Sequence, residues 1–139
     1  MAKPHVIDRP IVVDSDVLID YFAGISPSAE AVEELLEADR LALTTLSVFE
    51  LNCAVQSSET ANDIELLVDA SRIVLGLSIE SAKLAAQQYR RLRDSGNLIP
   101  TPDLLIAGCC LAADLPLFTR NRRHFSRIPH LEFFDLNEI

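Results

Sequence analysis

A chain of 139 residues, 49% hydrophobic and 24% charged, is long enough to bury one core and too apolar to stay unfolded, which points to a single domain over residues 1–139. Its formal charge of −9 argues, as an average, against nucleic acid, because phosphate binding rests on Lys and Arg. The average hides a split: 4 basic residues stand against 15 acidic ones up to Ala82, but 8 against 3 from Lys83 to Arg127. That basic stretch holds Arg90, Arg91, Arg93, Arg120, Arg122, Arg123 and Arg127, which suit phosphate forks or simply a solvated helix face and a basic loop. No apolar run approaches a membrane span and residues 1–5 hold no signal-peptide core, so a cytoplasmic chain without membrane contact is expected. Cys53, Cys109 and Cys110 lack C-x-x-C spacing and read as small core residues, not as a disulfide framework or zinc site.

Ile11, Val12 and Val13 form a β-branched run that reads as a short buried strand ending at Asp14. A helix is expected from about Asp16 to Ala23, with Gly24 as its stop. Pro27 suits the first turn of the next helix, where Val32, Leu35 and Leu36 oppose Glu30, Glu33, Glu34 and Glu37, an amphipathic pattern with an acidic outer face. Leu41 to Thr44 reads as a second strand. Ser47 to Val55 reads as a helix opened by a Ser47-x-x-Glu50 capping box, and residues 61–71 as another, with Ile64, Leu67 and Val68 inward. Ile73 to Leu75 is a third strand, closed by Gly76. The longest helix spans Ser78 to Asp94. Ile79, Ala82, Ala86, Tyr89 and Leu92 recur there at near-helical spacing, and the alanines permit close packing within the chain or between two copies. Pro100-Thr101-Pro102 breaks the chain again, after which Thr101 is placed to cap a helix with Asp103 in its first turn. The body of that helix, Leu104 to Ala113, is apolar on all sides and belongs at the centre of the domain. Residues 115–119 and 131–134 supply a fourth and a last strand. Short strands alternating with helices predict an α/β fold, a three-layer α/β/α sandwich around a mostly parallel sheet.

Three acids share a position in this scheme. Asp14 ends a strand, while Glu50 and Asp103 each lie in the first turn of a helix; parallel strands would bring all three to one rim, at the carboxyl end of the sheet where crevices form. Each also has a local role open to it: Asp14, Ser15 or Asp16 as a helix cap, Glu50 in its capping box, Asp103 against a helix dipole. Gathered on one rim, carboxylates repel and their pKa values rise, a cost that a divalent cation removes. Carboxylate oxygens with few histidines suit Mg²⁺ or Mn²⁺, which bind phosphate oxygens as well, and such a centre activates water against a phosphodiester. The histidines take no part in this scheme: His5 falls in a terminal segment, His130 in a loop and His124 beside Arg123, with no pair suited to 2′-hydroxyl chemistry.

Four stretches, in order and at suitable spacing, resemble the motifs of PIN-domain ribonucleases of the VapC toxin type. They are Ile11 to Ile19 with Asp14 as the first acid, Leu46 to Leu51 with Glu50, Thr101 to Ala107 with Asp103, and Leu115 to Asn121 with the fourth polar position. The resemblance runs nearly end to end. It implies a PIN-like sandwich, Mg²⁺-dependent endonucleolytic cleavage of RNA with Mn²⁺ able to substitute, a cognate VapB-like antitoxin that blocks the site, and a homodimer. It also implies that Asp14, Glu50 and Asp103 hold the metal with help from Asn121. Ser15 and Thr119 match polar positions suited to a metal water or a phosphate oxygen, or serve as turn residues; Arg120, Arg122 or Arg123 would steady the RNA backbone. Asn121 departs from the family pattern, which often has Asp there. Asp16, where many relatives are neutral, is read as a cap, with compensation for the missing charge as its alternative. Two other readings stand beside this one. A PIN-like module could bind RNA or protein without cutting, for which Asn121 is the hint. A haloacid-dehalogenase-like phosphatase would use Asp14-Ser15-Asp16, but it also wants a lysine near the phosphate, and the chain has only Lys3 and Lys83.

Overall fold

The computed structural model describes residues 8–136, so the readings made for residues 1–5, His5 among them, lie outside it. Strands β1 (Ile11–Val13), β2 (Leu41–Thr44), β3 (Ile73–Leu75) and β4 (Leu117–Phe118) form a parallel sheet in the spatial order β3-β2-β1-β4. Ile11 lies opposite Leu41, Val12 opposite Leu117 and Ala42 opposite Ile73. The helices are α1 (Ser15–Phe22), α2 (Ser28–Glu37), α3 (Thr45–Cys53), α4 (Ser58–Ala70), α5 (Ile79–Asp94), α6 (Thr101–Ala113) and the short α7 (Arg122–Phe125).

Alternation along the strands builds the three layers. Ile11, Val13, Leu41, Leu43 and Phe118 pack with apolar residues of α1 to α4, among them Val17, Leu18, Val32, Leu35 and Ile64. Val12, Ala42 and Leu117 point the other way, into Leu92 of α5, Leu104, Ile106 and Ala107 of α6, and Phe125. Both faces are covered at β1, β2 and β4, which is why those strands read as unbroken apolar runs, while Ile73 on the edge strand β3 is exposed. The α/β/α sandwich expected from the sequence is therefore the observed fold.

Helix α6 is central as expected, with Ile106 to Cys110 buried. It meets α5 at Gly108, where an added Cβ would stand 2.4 Å from the Ser81 carbonyl oxygen and 3.0 Å from the Ala85 Cβ. That close approach selects Ser81, Ala85 and Leu92 as the buried line of α5. Of the positions singled out by spacing only Leu92 is buried; Ala82 and Ala86 are exposed, and Ile79 is 78% exposed. Small residues thus do pack two helices together within the chain, but on the neighbouring face.

Other boundaries moved for local reasons. Ser57 caps α4 by accepting from the Thr60 N–H, so that helix starts at Ser58, ahead of the expected residue 61. The fourth strand shrinks to Leu117–Phe118 behind Pro116, which has no N–H to give a ladder. Residues 131–134 form no strand: Phe133 makes one parallel bridge to Leu117, while the Phe134 ring packs 5.2 Å from that of Phe118. Cys109 and Cys110 are buried as expected, but Cys53, the last residue of α3, is exposed and is not a core residue. No helix among the described residues is long and apolar enough to cross a membrane.

Candidate active site

Because the strands are parallel, the segments leaving β1, β2 and β4 emerge at one end of the sheet. Asp14 follows β1 in extended backbone and is the N-cap of α1. Its Oδ1 accepts from the Ser15 N–H and its Oδ2 from the Thr119 hydroxyl, both at 2.8 Å. Capping and membership of the rim are therefore one role. Asp14 is only 5% exposed. Burial first and Asp16 next push its carboxyl up to about 7, against the opposing bonds from Thr119 and Ser15, and Asp103 adds to the rise.

The capping box expected for Glu50 does not form. The buried Thr44 caps α3 instead, its Oγ1 accepting from the Ser47 N–H at 3.1 Å, so the helix begins at Thr45. Glu50 is shifted into the second turn and released from capping; its Oε1 accepts from the Ser15 hydroxyl at 3.3 Å. Burial raises its pKa, and Asp103 and Asp16 raise it further against the Ser15 bond. Thr101 is not a cap either: α6 starts at Thr101 behind Pro100, which offers no side-chain bond. Asp103 lies in the first turn, as expected, and α6 runs from there towards the start of β4, so this turn sits at the same end of the sheet as Asp14. Its Oδ2 is 3.0 Å from His124 Nδ1. The side-chain amide of Asn121 lies 2.8 Å from that same nitrogen, and the Asn121 backbone N–H donates to Thr119 Oγ1 at 3.0 Å. One continuous arc of polar contacts thus runs from Glu50 through Ser15, Asp14, Thr119, Asn121 and His124 to Asp103.

Asp16 is not the cap, since it already lies inside the helix. Its Oδ1 accepts from the Val17 N–H at 2.7 Å and its Oδ2 from the Arg120 N–H at 3.1 Å, tying α1 to the turn after β4. Burial chiefly raises its pKa. Asp20, one turn on, is buried and pairs with Arg120 at 2.9 Å. Asp20 was not singled out in the sequence, and His124, expected to take no part, is brought to Asp103. The i,i+4 spacing of Asp16 and Asp20 could have flagged the first; no local signal joins His124 to Asp103.

Much of the basic stretch is structural. Arg122 donates to the Phe134 carbonyl at 2.9 Å and lies 5.1 Å over the Phe133 ring. Arg127 holds the carbonyls of Asn97 and Leu98, and Arg91 donates to the carbonyl of Arg127. Near the rim this leaves Arg120 and Arg123 as exposed basic side chains without a bracing role of that kind.

Among the described residues no group of three or more His, Cys, Asp or Glu side chains forms a ready-made metal cage. The donors nonetheless fit a hard divalent cation. They are carboxylate oxygens, Asp103 helps to raise the pKa values of Asp14 and Glu50, and a Mg²⁺-like ion takes only one or two carboxylates and keeps several waters.

A rim of acids on this parallel sandwich defines the class: the chain belongs to the PIN domain family, whose pattern matches residues 11–131. Within that family it is similar to Ribonuclease VapC1 of Methanocaldococcus jannaschii, 31% identical over 121 residues that cover 87% of this chain and 82% of that one. It is also similar to Ribonuclease VapC10 of Mycobacterium tuberculosis, 33% identical over 122 residues covering 88% and 90%. Among solved structures, VapBC-1 from nontypeable Haemophilus influenzae matches with a TM-score of 0.75 and 29% identity, covering 90% of this chain and 96% of that one. PIN-domain nucleases of the VapC kind are in general metal-dependent.

Proposed function

We propose that this chain is the toxin endoribonuclease of a VapBC-type pair, hydrolysing RNA phosphodiesters in the cytoplasm with Mg²⁺, or Mn²⁺ in its place, held by Asp14, Glu50 and Asp103. The observation that carries the reading is the polar arc linking those three acids, in a PIN domain chain whose relatives are VapC ribonucleases.

The cation supplies Lewis-acid polarisation of a phosphate oxygen and a water of lowered pKa. The chain's own residues prepare its place. Ser15 and Thr119 fix the two oxygens of Asp14, Ser15 fixes one oxygen of Glu50, and Asn121 assists from the fourth position. Burial makes a lone charge on Asp14 costly, so the site favours a positive partner over bulk water. Arg120, its backbone held by Asp16 and its guanidinium by Asp20, presents a half-exposed fork beside the acids. A cavity of about 540 Å³ opens next to Thr119 and Arg120, to one side of the three acids, none of which lines it.

A labelled RNA panel incubated with Mg²⁺ should yield fragments that vanish when a chelator is added. Tight binding without fragments would instead identify a non-catalytic module, and a phosphorylated Asp14 would identify a phosphatase. Because Arg123 is exposed and precedes His124 in the chain, Arg123→Ala should weaken RNA binding and flatten its salt dependence by about 0.7 in log–log slope, the loss of roughly one phosphate contact to a single strand. An unchanged slope in a salt titration would remove Arg123 from the interface.

Two partners complete the reading. The similarity to VapBC-1 supports a VapB-like antitoxin, and the groove lined by Tyr21, Phe22, Leu36 and Leu66 together with the acids Glu33 and Asp63 offers it a mixed apolar and acidic seat. The outward stripe of Ile79, Ala82, Ala86 and Tyr89 on α5 supports a homodimer.

A further inference from the structure

His124 closes the arc, and its chemistry settles how the two groups on either side are turned. Nδ1 lies 3.0 Å from Asp103 Oδ2 and 2.8 Å from the amide end assigned as Asn121 Nδ2. An ionised Asp103 only accepts, so Nδ1 must carry hydrogen. An N–H is approached by an acceptor, so Asn121 must turn its amide oxygen to the ring; the two ends of an amide are alike in shape and told apart by their partners. One N–H then lies between two oxygens brought in by different elements, the first turn of α6 and the turn after β4. Asp103 keeps its Oδ1 for another partner, whereas the carbonyl of Asn121 is already engaged.

We propose that His124 is a positioning residue of the cation site: it locks the Asp103 carboxylate against the Asn121 amide, and Asn121 serves through this bond and not as a ligand. This rests on the reading of the rim as a divalent-cation site. The lock matters because Asp103 repels Asp14 and Glu50, which burial and that repulsion leave reluctant to ionise. The Asp103 side chain keeps a 17% exposed edge, so without the ring it has a path by which to turn towards water. The ring itself is anchored through Phe125, the next residue, which is fully buried. Outer partners of this kind are worth about 10–100-fold in metal affinity.

The test is Mn²⁺ binding to the full chain without RNA, read from the paramagnetic resonance of free Mn²⁺, for the parent and for His124→Ala, His124→Asn and His124→Gln. The Asn amide nitrogen stands where Nδ1 stands and has a hydrogen for each oxygen, while the Gln amide reaches farther out. Binding should weaken at least about 10-fold in the Ala variant, recover in the Asn variant and stay weak in the Gln variant. Parent-like affinity in the Ala variant would overturn the proposal, and so would equal affinities in the Asn and Gln variants, a comparison that decides the matter if the Ala variant does not fold. A parent chain that takes up no Mn²⁺ would instead overturn the cation site of the proposed function, and this inference with it.

Discussion

Asp14→Asn is expected to cut RNA about 10³-fold more slowly than the parent and, in chelator at neutral pH, to melt at a higher temperature. The loss of rate is the several kcal/mol of charge stabilisation that a catalytic metal provides, given up with a ligand that has lost its charge. The gain in stability follows from burial. Asp14 is pushed up to about 7 from an ordinary value of 3.8, by burial first and Asp16 second. A carboxyl raised in this way favours the folded state in full below its ordinary range, and that contribution is lost as pH rises through about 7. Above that pH the native chain holds an ionised, buried Asp14 at a cost on the order of 4 kcal/mol, before relaxation is allowed for. Asparagine avoids the cost at every pH. Melts at pH 3 and pH 8 in chelator should therefore coincide for parent and variant at the lower pH and separate at the higher one, by about 5 °C or more. Saturating Mg²⁺ should raise the parent and not the variant, since only a ligand bound to the native state adds stability. A parent whose stability does not fall between pH 5 and 8, or a variant that cuts at the parental rate, would refute the assignment of Asp14.

Gly108→Ala is expected to lower stability by about 3 kcal/mol, although alanine is the better helix former by about 1 kcal/mol. The added methyl would sit 2.4 Å from the Ser81 carbonyl oxygen, a backbone atom that cannot swing aside, and 3.0 Å from the Ala85 Cβ. Helices α5 and α6 would have to part at this close approach. A parting there unpacks Leu92, Ile106 and Ala107, which fill the same layer. Because α6 also carries Asp103, cation affinity should fall together with stability. Chemical denaturation of the purified variant measures the first effect and Mn²⁺ binding the second. A variant as stable as the parent would mean that α5 and α6 are not held this close.

The sequence pointed to the acids by their places in the chain, and it placed their carriers well. Strand, helix and break signals act over one or two turns, so Ile11 to Val13, Gly24, Gly76 and Pro102 could be read directly. The errors came where two local signals competed or where local signals ended. Ser47-x-x-Glu50 makes a good capping box, but Thr44, buried at the end of β2, caps the helix three residues earlier and frees Glu50 for the rim. Near-helical spacing on α5 fits two adjacent faces, and only the approach of Gly108 chooses between them.

By itself, then, the sequence determined the parallel sandwich, the three acids and the end of the sheet that carries them, because backbone period and capping are properties of neighbouring residues. Tertiary structure alone decided that Asp16 grips the turn after β4, that Arg122 and Arg127 brace backbone carbonyls, and that His124 meets Asp103. Those pairings join residues far apart in the chain, and such contacts exist only once packed layers fix the distance between them.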